Sequence, residues 1–388
     1  MYTLLTTCPP YGSRNVGDKL IEQSIKDLVA HETGVTEFLT IFREEPLEPY
    51  LEEINGSRAV LATMGLRNTS YHVGWAIIDA VDQIRVPIIP VGSNWNAYPG
   101  DARSRRDFVP PEENVAFVRR IADQLEQWSC REYHACRMLE KLGVENTLMT
   151  GDPAWFHLPS LGKPMRRPAG VERVAFSPPL SPFYVHQGEQ MMRMLASFAP
   201  QAERICAMHL VDAGTAGENE VRSERSAAMT PAVARKNRRI RELADELGFR
   251  VCEMAGDLSA LDLYDTCDLH VGYECHAHVS CISRRIPSVL IAEDARGVGF
   301  NYTLGVGGFN GFVRTPGSTG VVRKEITSGY CTSLEEFAMA PARGDVHEEV
   351  HQFLLEELSS GFRRYVGLAS YLDRLYQEVM GPFIRSLR

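Results

Sequence analysis

The stretch LHVGYECHAHVSCISRRIPSVLIAEDARG, Leu269 to Gly297, carries three histidines, two cysteines, three acids and three arginines in a pattern that otherwise reads as buried core. Its opening, DLHVGYE, has the character of a strand, and the residues that follow have that of a helix. His276 therefore falls at a strand-to-helix junction, two residues beyond Glu274. A helix N-terminus disfavours an imidazolium and a neighbouring carboxylate favours it. Together they suit a general acid working near neutrality. His278 would not share a helix face with His276, so with Cys275 the pair makes a poor zinc set and no metal is expected. The plainer reading is a set of core histidines satisfied by backbone carbonyls. The acids and Arg296 of EDARG converge on neighbouring strand ends and shift the balance toward a site.

Two earlier stretches share this placement. NVGD, Asn15 to Asp18, follows the strand-like YTLLTT and opens an amphipathic run. Glycines there let backbone N–H groups approach a ligand, and a helix N-terminus favours an anion. Asp18 could orient a hydroxyl or act as a base. It could equally be the N-cap of a helix over 19–30, with Gly17 allowing the turn. Further on, Arg131 opens CREYHACRMLEKLG, and Gly151, Asp152 and Pro153 close the next strand. An Asp at a strand's carboxyl end is a common site position in α/β folds. Gly-Asp-Pro is also an ordinary turn whose Asp bonds its own backbone. No phosphate-binding P-loop or nucleophile elbow is present, and GVGGFNG (305–311) lacks the spacing of a dinucleotide fingerprint.

The elements that must position these residues alternate. Strands are expected at 2–7, 58–64 and 86–92, and helices at 19–30, 70–84, 114–128 and 130–143, the last ended by Gly143. SLGKPMRRPAG (160–170) has the Pro, Gly and charge of a linker. Alternation then restarts: strands at RVAFSPP, RICAMHL, FRVCEMA, DLHVGYE and PSVLIAE, with helices near 188–198, 231–247, 257–265 and 276–284. The polar stretch 212–229 reads as a surface loop, GVGGFNGFVRTPGSTG as a glycine-rich connection, and the tail from Val346 as helical. The expectation is an α/β chain with two Rossmann-like, doubly wound parallel-sheet domains and a helical tail, divided at 1–160, 171–345 and 346–388. Ligands of such folds bind in the crevice at the carboxyl ends of the strands.

Length and composition agree with this. A chain of 388 residues, 44% hydrophobic and 23% charged, is long enough for more than one core. It shows neither a bilayer-length apolar run nor a signal-peptide pattern at its start, so a cytoplasmic location with at most peripheral membrane contact is expected. A net charge of −9 argues against nucleic acid as a partner. It leaves room for an anionic small substrate, because a few arginines in one cleft override the global sign. Nine cysteines without a C-x-x-C pair fit reduced, buried thiols. A homo-oligomer is compatible with the sequence but not read from it.

With these residues in place, the chain resembles the polysaccharide pyruvyl transferase family over most of its length. NVGD is similar to that family's Asn-x-Gly-Asp. SCREYHACRMLEKLGV followed by TGDPAW is similar to its Arg-x-x-Ser helix and Gly-Asp-Pro turn, and VGYECHAHVSCISRRIPSVLI to its Gly-x-Arg-Leu-His segment and following strand. The resemblance implies a GT-B-like pair of domains that moves a pyruvyl group from phosphoenolpyruvate, a donor substrate rather than a cofactor, onto two hydroxyls of a sugar or glycan precursor. It implies His276 as general acid, Asp18 as base or acceptor-orienting group, and Asn15, Gly17, Arg131, Asp152, His278, Arg285 and Arg296 around the substrates. Two positions depart from the family: Glu274 stands where it has Arg, and His134 where it has Ser. Arg285, Arg296 and Arg131 are the candidates to replace the missing charge. A GT-B glycosyltransferase using a nucleotide-sugar and a non-catalytic sugar- or partner-binding relative are the alternatives.

Overall fold

The computed structural model describes residues 1–8, 15–68, 70–72, 74–209, 231–313, 320–325, 334–339 and 341–387. The stretch 212–229 lies outside them.

The first sheet contains β1 (Tyr2–Thr6), β2 (Phe38–Phe42), β3 (Val60–Ala62) and β4 (Ile88–Pro90), all parallel, in the order β2-β1-β3-β4. A bridge from Ser93 to Cys130 continues it into the parallel pair Trp128–Cys130 and Thr147–Met149. The second sheet contains β5 (Arg173–Ser177), β6 (Glu203–Met208), β7 (Phe249–Glu253), β8 (Leu269–Gly272), β9 (Ser288–Ala292) and β10 (Gly308–Asn310). It too is parallel, in the order β7-β6-β5-β8-β9-β10. Numbered within the second sheet this is 3-2-1-4-5-6, the Rossmann order, with its reversal between β5 and β8.

Each expected strand of the second sheet is present, because VAF, LHVG and SVLIA are buried on both faces and read as continuous apolar runs. Three details differ from the sequence reading. β2 was not anticipated: it is a half-exposed edge strand, so its burial shows no clean alternation. The helix expected over 70–84 shrinks to Ile77–Ala80. Gly74 at φ 82° breaks it, and Tyr71 and Trp75 turn into the core instead. The helix expected to reach Trp128 stops at Ala122, and Trp128 starts a strand.

The two halves pack tightly. One continuous apolar cluster runs from Tyr2, Leu4 and Leu61 of the first sheet to Phe176, Val271 and Leu290 of the second. The helical tail then crosses back. Helix α1 (Val16–Thr33) meets the last helix, Gly381–Arg385. There the Tyr2 hydroxyl donates to the Leu387 carbonyl (2.6 Å), and Tyr376 and Arg385 both reach Glu32.

Candidate active site

The cleft lies where both sheets reverse strand order. Thr7 and Thr63, just past β1 and β3, line it from the first sheet. From the second sheet comes α3 (Cys275–Ser283), which starts directly after β8 and carries His276 into it. The cleft encloses about 710 Å³, open solvent included. Among the described residues its other walls hold Asp18, Asn94, Asn96, Asp152 and four arginines, Arg43, Arg67, Arg131 and Arg296.

His276 is held from two sides. Its Nδ1 lies 3.2 Å from Glu274 Oε1, an ion-pair distance, and is sealed from solvent without a well-aligned hydrogen bond among the described residues. The other side is the backbone of Gly17. A Cβ there would lie 2.0 Å from His276 Nδ1 and 2.2 Å from Cγ, so only glycine lets α1 approach this closely. Nε2 is the ring nitrogen left to meet the cleft.

Two carboxylates flank this ring with opposite tendencies. Burial pushes Asp18 up, against the pull of His276, Arg43 and a 2.9 Å hydrogen bond from the Thr7 hydroxyl. Burial also pushes Glu274 up, but there the approach of His276, His209 and Arg296 outweighs it and holds the carboxyl at about 2. Glu274 is thus a fixed anion, and Asp18 is the carboxyl prepared to exchange a proton.

Arg131 and Arg296 enter from opposite sheets. Arg131 is buried and stacks 4.8 Å from the Phe300 ring, with Nη1 3.4 Å from Asp152 Oδ2. Among the described residues its Nε and Nη2 have no partner, so two buried donors await an acceptor. Asp152 serves both of its readings: Oδ1 caps the next turn through the Ala154 N–H, while Oδ2 meets Arg131. Arg296 begins α4 (Ala295–Leu304) and is aimed by Asp294, which accepts from its Nε (3.0 Å) and Nη2 (2.6 Å).

The sequence matches a known family. The family model described as polysaccharide pyruvyl transferase matches residues 15–295. The chain belongs to the polysaccharide pyruvyl transferase family. It is a transferase of that family with a GT-B-like fold. Among solved structures it is similar to UDP-GlcNAc 2-epimerase from Neisseria meningitidis bound to UDP-GlcNAc, at TM-score 0.52 and 10% identity over 100% of both chains. It is also similar to the S. aureus MnaA–UDP structure, at TM-score 0.47 and 12% identity over 95% of this chain and 91% of that one. No curated protein matches the sequence.

Within this pyruvyl transferase family member, four sequence-based assignments change. His278 is not at the cleft: it is buried in α3, its Nδ1 2.8 Å from the Ser288 hydroxyl, and burial holds it down at about 3. The same hydroxyl meets His270 Nδ1 (2.8 Å), whose Nε2 meets Ser177 (2.9 Å). So two of the three histidines in the stretch are core groups, satisfied by serines rather than by the expected carbonyls. Arg285 is a clamp, not a ligand group. At φ 67° it donates from Nε to the carbonyls of Ser160 and Lys163 and from Nη2 to Asp373, tying linker and tail to the second sheet. Asn15, not Asp18, is the N-cap of α1, accepting from Gly17 N–H at 2.7 Å, which leaves the Asp18 carboxyl for the cleft. Glu274 does not line the cleft; it caps α3 and faces His276.

Arg43 and Arg67 were missed in the sequence; Asn94 and Asn96 lie in GSNWNAYPGDARSRR (92–106), which reads as a plausible acceptor contact only because tryptophan and tyrosine suit sugar faces. The four lie at or just past β2 and the short Gly65–Leu66 and Asn94–Trp95 pairing, and neither feature announces itself by periodicity. Their signal was position: Arg43, Arg67 and Asn96 lie just past short strands in the first half, and Asn94 opens one. The other departure, His134, does not line the cleft. It lies in α2 (Tyr133–Lys141), stacked 4.9 Å from Tyr302.

Proposed function

We propose that the protein transfers the pyruvyl unit of phosphoenolpyruvate to two hydroxyls of a sugar or glycan precursor, forming a cyclic ketal and releasing phosphate. The observation that carries this reading is the imidazole edge of His276 opening into a cleft lined by guanidinium groups, with Asp18 beside it. His276 protonates C3 of the enol as C2 gains oxocarbenium character. Asp18 takes the proton of the first hydroxyl as its oxygen bonds to C2. The C2–O bond to phosphate then breaks as the second hydroxyl bonds to C2, and the departing phosphate carries away that hydroxyl's proton. Arg131 and Arg296 hold the donor's carboxylate and phosphate, charge that the Glu274 position no longer supplies. The first domain serves the acceptor and the second the donor, with Arg131 reaching the donor from the first, and the location is cytoplasmic. Among the described residues no helix is long and apolar enough to cross a membrane.

The test compares thermal stabilisation by phosphoenolpyruvate and by uridine diphosphate. Phosphoenolpyruvate should raise the melting temperature and uridine diphosphate should not. His276→Ala should keep the fold and lose turnover. Stabilisation by uridine diphosphate alone would overturn the donor assignment.

A further inference from the structure

We propose that His209 is a positioning residue of the active site: backed by Tyr264, it fixes the carboxylate of Glu274 and, through that carboxylate, the ring of His276. The catalytic part of His276 rests on the pyruvyl-transfer reading; the buried chain of contacts does not. His209 directly follows β6 and does not line the cleft. It bears on both flanks of His276. Its carbonyl accepts from the Val16 N–H (3.3 Å), one residue before the Gly17 that packs on the His276 ring. Its side chain acts on the Glu274 flank. Burial raises the Glu274 carboxyl, and His276 first and His209 next hold it down.

A buried carboxylate has about four lone-pair sites to satisfy. Glu274 Oε1 accepts from the His276 N–H (3.4 Å) and faces His276 Nδ1 (3.2 Å). Oε2 is also buried and meets no donor among the described residues. His209 has the matching gap. Its Nε2 lies 2.7 Å from the Tyr264 hydroxyl, and its Nδ1 is buried without a partner among the described residues.

Chemistry decides which nitrogen of His209 carries the proton. Burial holds this ring down at about 4, so near neutrality it has one N–H. Burial pushes Tyr264 far above the usual phenol range, so its hydroxyl keeps a proton to give. Tyr264 lies in an apolar cluster with Val16, Ile205 and Ala277, and His209 is its hydroxyl's partner among the described residues. The hydroxyl therefore donates to Nε2, and the ring's own proton sits on Nδ1. The other tautomer would leave the phenol proton without an acceptor and set a bare lone pair near an anion. The Nδ1 proton and Glu274 Oε2 are thus complementary groups in a dry core, where leaving both unmet is costly. Arg296, His276, His270 and Asp18 also face Glu274, and none of them donates to Oε2. With Oε2 held, Oε1 stays on His276 Nδ1, and the imidazole keeps Nε2 toward the cleft.

The experiment reads imidazole tautomers by NMR of the full chain with isotope-labelled histidine. In the wild type near neutrality, His209 should be neutral with its proton on Nδ1, and that signal should move in Glu274→Gln. Two substitutions of similar size then separate the roles. The amide nitrogen of asparagine overlays Nδ1 of histidine, and that of glutamine overlays Nε2. His209→Asn should keep His276 protonated on Nδ1. His209→Gln, which answers Tyr264 but not Glu274, should leave His276 a mixture of tautomers. Phosphate release from phosphoenolpyruvate, with methyl glucoside as acceptor, gives the kinetic reading. His209→Gln should lower kcat about ten-fold or more with KM within about two-fold, and His209→Asn should recover most of that loss. A wild-type His209 protonated on Nε2, or one whose signal ignores Glu274→Gln, overturns the proposal without any His209 variant. So does an unchanged His276 tautomer in His209→Gln, or better rescue by glutamine than by asparagine. If the wild type releases no phosphate while the tautomers behave as stated, pyruvyl transfer to this sugar fails and the positioning role stands.

Discussion

Gly17→Ala probes the geometry of the site with a single methyl group. The new Cβ would fall 2.0 Å from His276 Nδ1 and 2.5 Å from its Cβ. Ordinary contacts of this kind are about 3.5 Å, so the ring or its helix must retreat by roughly 1.5 Å. Overpacking of this sort costs about 1–3 kcal/mol. Alanine's better helix propensity returns up to about 1 kcal/mol of it. The net loss is then about 3 kcal/mol at most, a melting shift of a few degrees. The effect on rate should be far larger, because a displacement of about 1 Å at a reacting group costs about 100-fold. Phosphate release from phosphoenolpyruvate in the presence of a hydroxylated acceptor measures that rate, and calorimetry measures stability. His276→Ala removes the ring but keeps the Cβ at 2.5 Å, so the double variant should recover part of the stability lost in Gly17→Ala. Wild-type turnover in Gly17→Ala, or no recovery in the double variant, would refute the claim that α1 and the His276 ring are packed to this tolerance.

Glu274→Arg should not raise affinity for phosphoenolpyruvate, since the side chain at 274 caps α3 and does not line the cleft; titration calorimetry reads this directly. Glu274→Gln should lower kcat more than it changes KM, because it releases Nδ1 of His276 rather than the donor. Arg285→Ala should cost about 3–5 kcal/mol in chemical denaturation by stripping a buried ion-pair partner from Asp373, with no change in donor affinity. Acid should unfold the protein early. His134 and His209 are held down at about 4 and His278 at about 3, chiefly by burial, against 6.5 in the unfolded chain. Between those values the unfolded state binds more protons, so stability rises with pH and is lost as pH falls from 6.5 toward 4. Each of the three contributes on the order of 3 kcal/mol to that loss. Denaturation midpoints that stay level across this window would contradict it.

The second sheet was legible because its strands are buried on both faces and leave long apolar runs between amphipathic helices. The first was less so. Its edge strand β2 is half exposed, and the Gly74 turn is hidden inside a pattern that reads as a helix. His276, Asp18, Arg131 and Arg296 could be found because each sits just past a strand end, where the chain must pass the crevice. His278 and Arg285 share that neighbourhood in sequence but not in space. On α3 a step of two residues turns a side chain from the cleft into the serine-lined core, and a left-handed residue after the helix sends Arg285 back toward the linker. The reason for Gly17 was also out of reach. Its φ needs no glycine; what needs it is a ring nearly 260 residues away, and such a contact leaves no local trace.

A crystal structure of the full chain soaked with phosphoenolpyruvate tests the central claim most directly. The expected result is donor density between Arg131 and Arg296, with C3 facing Nε2 of His276. Donor bound elsewhere, or a cleft still empty at concentrations that stabilise the protein, would contradict it.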